Sequence, residues 1–597
     1  MREENPSRTS RRTAIRRGVG ATGLLVLGAD WIGAHQVSSA YFLKPRQLIS
    51  RGPKIGFTSI PLQSSPNPTI APEYEYSVLL PWRERLNGSG KSYTREGFIP
   101  TQQENSVGIG HDGMWYFGSD VAGLLCINHE FGSNGHVLGK ANPTSLEDVL
   151  VSQAAHGVTV AAIAKKKNGT WSNVRSSRNR RITANTRVLF SGPAAKSTLI
   201  SNASNNRYRG TFANCSNGYT PWGTYLTCEE NFHTYFGTSS PGWSATSEQQ
   251  RYGLSSGGSG YGWHQFDPRF DLGAPDFMNE CNRFGWVVEI DPSNPTSRPV
   301  KRTALGRFKH ESATLTVGRG NRVVVYMGDD ERFEYIYKFV SSKNWEDLIA
   351  DGISPLDSGR LYVARFNSDG TGNWIELSNR NPLLKDRTMD WIVVHARVAA
   401  DIVGATKMDR PERIAVAPNG SVYCTLTNNS RRGRTGYPTT DAANPIVENP
   451  WGHIIRWKDS RDHVGRSFTW NIFSLAQDVR DNNGQMFGSP DGIWVDEDAR
   501  VFIQTDGAQP GGANNQLLVT DTKGSVYKRL FTGVPGCEIT GITTTPDRKT
   551  MFVNVQHPGG GNPSYTNFPA DFSGSTGPIP RDATIVIRRK DRGIVGS

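Results

Sequence analysis

His310-Glu311, Ala313-Thr-Leu-Thr-Val317, Val323-Val-Val-Tyr326 and Asp329-Asp330-Glu331 follow one another in a single short stretch, and this stretch decides how the chain is read. A polar cluster opens it. A strand-like run, a turn and a second strand-like run follow, and a second polar cluster closes it. Short β-branched runs bounded by turn residues read as an antiparallel hairpin. A hairpin begins and ends at the same edge of its sheet, so the opening and closing clusters lie side by side.

Five more segments share this layout. His111-Asp112 leads through Met114–Phe117 and Leu124–Ile127 to Asn128-His129-Glu130. Asn214-Cys215 leads through Thr220–Gly223 to Cys228-Glu229-Glu230-Asn231. Arg410-Pro411-Glu412 leads through Ile414–Val416, the turn Asn419-Gly420 and Val422–Thr425 to Asn428-Asn429. Asp491 leads through Ile493–Val495 and Val501–Ile503 to Asp506, and Glu538-Ile539-Thr540 leads through Met551–Val553 to Gln556-His557. Arranged radially, six such units bring their polar ends to one mouth of a central channel, the geometry of a β-propeller. The expected fold is all-β, a six-bladed β-propeller with irregular insertions. The unit spacing is irregular, unlike that of a WD40 repeat.

The 64 glycines and 34 prolines among 597 residues supply many turns and speak against long helices. Residues 1–40 read as a twin-arginine signal peptide: Ser10–Arg16 carries the arginine pair, Val19–Gly28 is mildly apolar, and Ser38-Ser39-Ala40 offers a cleavage site. Residues 41–597 read as a single domain. Past the leader, no apolar run is long enough to span a bilayer. The net charge of +12 falls to +9 without the leader, whose six Arg oppose Glu3, Glu4 and Asp30. The excess reads as dispersed apart from Asn179–Arg181 and Arg431–Arg434, and no nucleic-acid motif accompanies those clusters. Pro355–Lys385 reads as an insertion with its own hairpin.

The acids at the unit ends, Glu130, Glu229, Glu230, Glu311, Asp329, Asp330, Glu412, Asp491 and Glu538, suit hard cations such as Ca²⁺. A thiolate from Cys215 shifts preference toward a transition metal. No cysteine spacing fits a zinc site, and sequence alone pairs none of Cys126, Cys215, Cys228, Cys281, Cys424 and Cys537. Cys126 and Cys424 lie inside apolar runs and read as packing residues. Arg410 precedes Glu412 by two residues, so on a strand both side chains share a face. Its guanidinium fork matches phosphate, and a plain ion pair with Glu412 or Asp409 is the alternative. His111, His129, His310 and His557 are open to ligation, proton transfer or hydrogen bonding to carboxylates. There is no G-x-S-x-G elbow, no phosphate loop and no H-E-x-x-H.

Asn214–Asn231 resembles the signature segment of PhoX-type alkaline phosphatases. Gly110–Met114, Asn128–Glu130, Lys309–Ser312, Gly328–Glu334, Arg410–Glu412, Ser489–Gly492 and Gln556–Gly559 resemble that family too. Pro81–Leu86 departs from its pattern. The resemblance implies a six-bladed propeller that hydrolyses small phosphate monoesters with bound Fe³⁺ and Ca²⁺. Carried over residue by residue, Cys215 matches the iron cysteine, with Cys228 as the alternative. Glu311 and Glu412 match the metal carboxylates, and Arg410 matches the phosphate arginine. Glu229, Glu230 and Asp491 join as metal ligands. The expected product is a monomer, exported by the twin-arginine machinery to the periplasm or beyond. Two rival readings are a calcium-dependent propeller lactonase or esterase and a non-catalytic, metal-stabilised binding propeller.

Overall fold

The computed structural model describes residues 54–88, 98–203, 207–572, 574 and 577–597. All lie in one compact unit, Val37–Ser597. The twin-arginine leader falls outside the described residues.

The chain is all-β. Among the described residues the helices are short, the longest being Leu146–Ala155, and none is long and apolar enough to cross a membrane. Each of the six segments forms a hairpin whose two ends pair within or beside the polar clusters, and in the second unit Thr220–Gly223 is the turn between Asn214–Tyr219 and Tyr225–Glu229. His111 faces His129, Asn214 faces Glu229, His310 faces Asp329, Pro411 faces Leu426, Pro490 faces Thr505 and Glu538 faces Gln556.

Among the described residues the strands form five sheets. His111–Gly118, Asn214–Tyr219, Pro490–Val495 and Glu538–Thr544 each sit at the edge of a separate sheet, while Thr314–Gly318 and Pro411–Val416 form the two edges of one nine-stranded sheet. These six leading strands are consecutive neighbours, and the Glu538 strand packs against the His111 strand to close the series. The first sheet is covered on both faces. Met114, Tyr116, Leu125 and Ile127 pack with Phe552 and Val586 of the last sheet, while Trp115, Leu124 and Cys126 pack with Tyr225 and Ile290 of the second. Full burial of such a side chain stabilises by about 1.5–3 kcal/mol, so sheet-on-sheet packing orients the leading strands. Cys126 and Cys424 are core residues, and all six cysteines are buried and free.

Two segments tie the chain ends together. Tyr74–Leu79 pairs with the final strand Ala583–Arg589, and Thr69–Ile70 pairs with Tyr527–Thr532. The Pro355–Lys385 segment is a correction to the sequence reading. Its hairpin, Gly359–Phe366 and Thr371–Glu376, is no separate insertion: it extends the third unit's sheet and pairs with Ser467–Leu475 of the fourth. Backbone hydrogen bonding across that edge makes the two units one sheet.

Candidate active site

The leading strands enter the site through a repeated irregularity. In the first unit His111 pairs with His129 and Met114 with Ile127, so Asp112 and Gly113 together face Asn128. Cys215 and Ser216 likewise face Cys228, Glu412 and Arg413 face Thr425, and Asp491 and Gly492 face Gln504. In the third unit Glu311–Ala313 faces Met327 and Gly328. A β-bulge of this kind bends the strand and re-aims its side chains. Asp112, Cys215, Glu311, Glu412 and Asp491 all follow directly on the first paired residue of their units, and the bulges turn them to a common centre.

The backbone just before the strand repeats as well. Gly110, Ala213, Arg410 and Ser489 have φ of 65°, 52°, 57° and 51°. Their carbonyls accept from the backbone N–H of Glu130, Glu230, Thr427 and Asp506, at 2.8, 2.8, 3.3 and 3.1 Å. Left-handed backbone costs a non-glycine residue about 1–3 kcal/mol and persists where the surroundings over-determine it, commonly at functional sites.

Three metal-capable groups share members at this centre: Asp112 with Glu130 and Cys215, Cys215 with Glu230 and Glu311, and Glu311 with Glu412 and Asp491. Within each group the donor atoms lie within 4.8 Å of one another. A fourth, separate group joins Asp506, Glu538 and His557. Asn128 Nδ2 donates to the carbonyls of Cys215 and Ser216, both at 2.7 Å, and Tyr225 donates to Asn128 Oδ1 at 2.9 Å. Thr427 Oγ1 donates to Glu412 Oε1 at 2.7 Å.

Charge at this centre is unbalanced. Two like charges 4.8 Å apart repel by roughly 3.5 kcal/mol at an effective dielectric of about 20. Burial, then Asp491, Glu412 and Glu230, push the Glu311 carboxyl well above the carboxylate range. Burial and neighbouring acids raise Glu230, Glu412 and Glu538 in the same way, and Asp491 is pushed up to about 7. Burial, then Glu311 and Glu130, push the Cys215 thiol up. Two guanidinium groups answer this charge. Arg413 donates to Asp112 and lies 3.5 Å from Glu311. Arg410 donates from Nε and Nη2 to both oxygens of Asp330, at 2.9 and 2.7 Å, and its Nη2 is 2.8 Å from Glu412. Burial works to raise Asp330, but Arg410 outweighs it and holds that carboxyl below its usual value. Glu311 Oε2 is buried with no hydrogen-bond partner. Clustered carboxylates with one thiol, an orphaned oxygen and too few cations fit bound metal ions.

The fold brings together Cys215, Glu230, Glu311, Glu412, Asp491 and Arg410. It does not bring Glu229. That side chain holds Lys301 at 2.5 Å and accepts from the amides of Gly285 and Trp286, because neighbours on a strand face opposite ways and Glu230 takes the inward side. Cys228 lies in the core with Leu226 and Val287. His111, His129 and His310 bond to the carbonyls of Leu80, Ile109 and Gly306 rather than to carboxylates, and burial lowers the pKa of each, His111 to about 4. Asp112 and Arg413 are the residues that sequence reasoning missed. Asp112 stood in view at a unit end, whereas strand alternation hid Arg413 beside Glu412.

Arg410 is one-fifth exposed, against 1% for Glu412, and opens onto a cavity of about 440 Å³. Lys309, Arg332, Tyr235 and Phe131 line the same cavity.

The family Alkaline phosphatase PhoX matches residues 55–559. A solved structure of Pseudomonas fluorescens PhoX in complex with vanadate, a transition state analogue, is 40% identical to this chain with a TM-score of 0.83, over 91% of this chain and 99% of that one. A Xanthomonas campestris gluconolactonase is 10% identical over 85% of this chain and 99% of its own, with a TM-score of 0.29, too low to carry an argument. No curated protein matches the chain. With the family match spanning most of the described residues and the acid-and-thiol centre inside it, the chain belongs to the PhoX family of alkaline phosphatases.

Proposed function

We propose that this alkaline phosphatase cleaves phosphate monoesters at the centre where Cys215 meets Glu311, with Fe³⁺ and Ca²⁺ as its cations. The observation that carries this reading is the sharing of residues between adjacent metal-capable groups: Cys215 belongs to two of them and Glu311 to two. A thiolate beside carboxylates suits iron, and carboxylates alone suit calcium. Asp112, Glu130, Cys215, Glu230, Glu311, Glu412 and Asp491 would hold the ions. When bound, the cations supply charge neutralisation for a dianionic ester and lower the pKa of an attacking water.

The chain's own residues do the rest. Asp330 and Glu412 take up Nε and Nη2 of the Arg410 fork, so Nη1 meets the ester and stabilises charge that grows on its oxygens. Asp330 holds that fork at the mouth. Arg413 positions Asp112 and Glu311. The closed series of six leading strands supports a six-bladed propeller, with the centre at the end where those strands begin. Export by the twin-arginine route and a monomeric state complete the proposal, the first resting on Ser10–Ala40.

Elemental analysis of the purified protein, followed by p-nitrophenyl phosphate hydrolysis before and after chelation, tests it. Iron and calcium are expected together, with activity lost on chelation and regained on their return. Full activity in iron-free protein overturns the assignment of iron. Calcium-only protein that opens lactones moves the reading to the lactonase class.

A further inference from the structure

A second site lies at the other end of the sheets. His129 pairs with Gly157 at the catalytic end, so the Gly157–Lys165 strand carries Lys165 to the opposite end, where Ala122 pairs with Ala164. The final strand runs the same way: Ala583 pairs with Val555 near the catalytic end, and Arg589 pairs with Tyr74 at the far one. The two strand ends and the Thr545–Thr550 turn enclose a cleft of about 490 Å³. Its basic lining is Lys165–Lys167, Lys549 and Arg588–Lys590 with Arg592. The excess positive charge, read from sequence as dispersed, is therefore partly gathered here.

Only two acids, Glu75 and Asp547, line the cleft beside those eight bases. Glu75 is taken up by Arg588 at 2.9 Å, and Arg589 pairs with Asp591 at 2.8 Å. Lys166, Lys167, Lys549 and Lys590 are exposed. Lys590 Nζ reaches only the Pro72 carbonyl, at 2.7 Å. Unpaired cations gathered in a concavity focus potential on an anion that enters it. No aromatic side chain lines the cleft, so nothing there stacks on a base, and no apolar side chain lines it, so nothing there enters a bilayer. Its volume exceeds that of a single phosphate group.

We infer that this cleft binds a linear phosphate polymer, held by its closely spaced charges, at the end of the molecule opposite the catalytic mouth. Lysine ammoniums meet successive phosphates as point charges, and displacement of condensed counterions drives the association. The site gives a phosphate-releasing enzyme a hold on phosphate-rich material that leaves its catalytic mouth free.

The test uses the full chain, fluorescently labelled inorganic polyphosphate, and anisotropy at about 50 and 200 mM salt. Wild type is expected to bind, with affinity falling steeply as salt rises. The double variant K166E/K167E is expected to bind at least about tenfold more weakly while hydrolysing p-nitrophenyl phosphate at the wild-type rate. Arg434→Glu, an exposed basic position outside the cleft, is expected to change neither. Unaltered polyphosphate binding by K166E/K167E overturns the site. Absence of binding by wild type at both salt concentrations overturns it too. Heparin bound as tightly as polyphosphate of equal charge overturns the choice of a phosphate chain.

Discussion

Cys215 donates its Sγ–H to Asp112 Oδ2 across 2.9 Å, and the two residues occupy the same position in the bulges of neighbouring units. Both follow the first paired residue of a leading strand. The contact is therefore a product of the repeated bulge, made once with a carboxylate and once with a thiol. One thiol among several carboxylates gives the centre two kinds of ligand sphere from one backbone device.

Replacement of Cys215 by serine keeps the size and removes the soft ligand. Iron measured by plasma emission is expected to fall at least about tenfold, with phosphatase activity falling in step and calcium largely retained. Cys228→Ser, in the core, is the control and should keep its iron. Full iron in Cys215→Ser removes the thiol from the ligand set.

Arg410→Ala is expected to lower kcat by about 10²–10³-fold, the usual consequence of losing one preformed donor to a developing negative charge, with an unchanged circular dichroism spectrum. Arg410→Lys should recover little, since an ammonium cannot hold Asp330 along one edge and offer the ester a further donor beyond it. Activity within twofold of wild type in either variant would deny Arg410 its role.

Gly541 tests the geometry without replacing a ligand. A Cβ there would lie 2.2 Å from the Asp112 carbonyl oxygen, at a φ of +34°. Gly541→Ala must therefore push the first unit's bulge away from the sixth unit. Expected are reduced metal content and an activity loss of about tenfold or more, because misplacement by an ångström costs that much or greater. Crystallography of the variant should show Asp112 shifted, and an unmoved Asp112 with normal activity would contradict the packing argument.

Lys338 pins the third unit to the fourth. Its buried Nζ donates to Asp459 Oδ2 at 2.9 Å and to the Gly465 carbonyl at 2.7 Å. Lys338→Met leaves Asp459 buried without its cation and is expected to cost about 3–5 kcal/mol. K338M combined with D459L should recover most of that loss. Burial, only partly offset by Asp459, depresses the Lys338 pKa from 10.5 to about 8. Between pH 8 and 10.5 the unfolded chain holds a proton that the folded chain has released, so this residue makes stability rise with pH in that window. The double variant should lack this rise, up to about 1.4 kcal/mol per pH unit in denaturant titrations. The same slope in both proteins would mean that Lys338 titrates normally in the folded state.

The hairpin units, their polar ends and the family resemblance were legible in the sequence, because strand alternation and turn chemistry act over a few residues. Those signals place Glu311, Glu412, Asp491 and Cys215 at unit ends. Three features were decided by the tertiary structure. Glu230 rather than Glu229 faces the centre, since pairing with the Val287–Ile290 strand fixes which way each side chain points. Arg413 reaches Asp112 through a bulge whose existence depends on the register between two strands. The basic cleft joins Lys165–Lys167 to Arg588–Lys590, residues more than four hundred positions apart, which the packing of the first sheet against the last brings together. Local chemistry writes the strands, but which of their side chains meet is set by long-range register, and register is a property of the folded pairs rather than of any one segment.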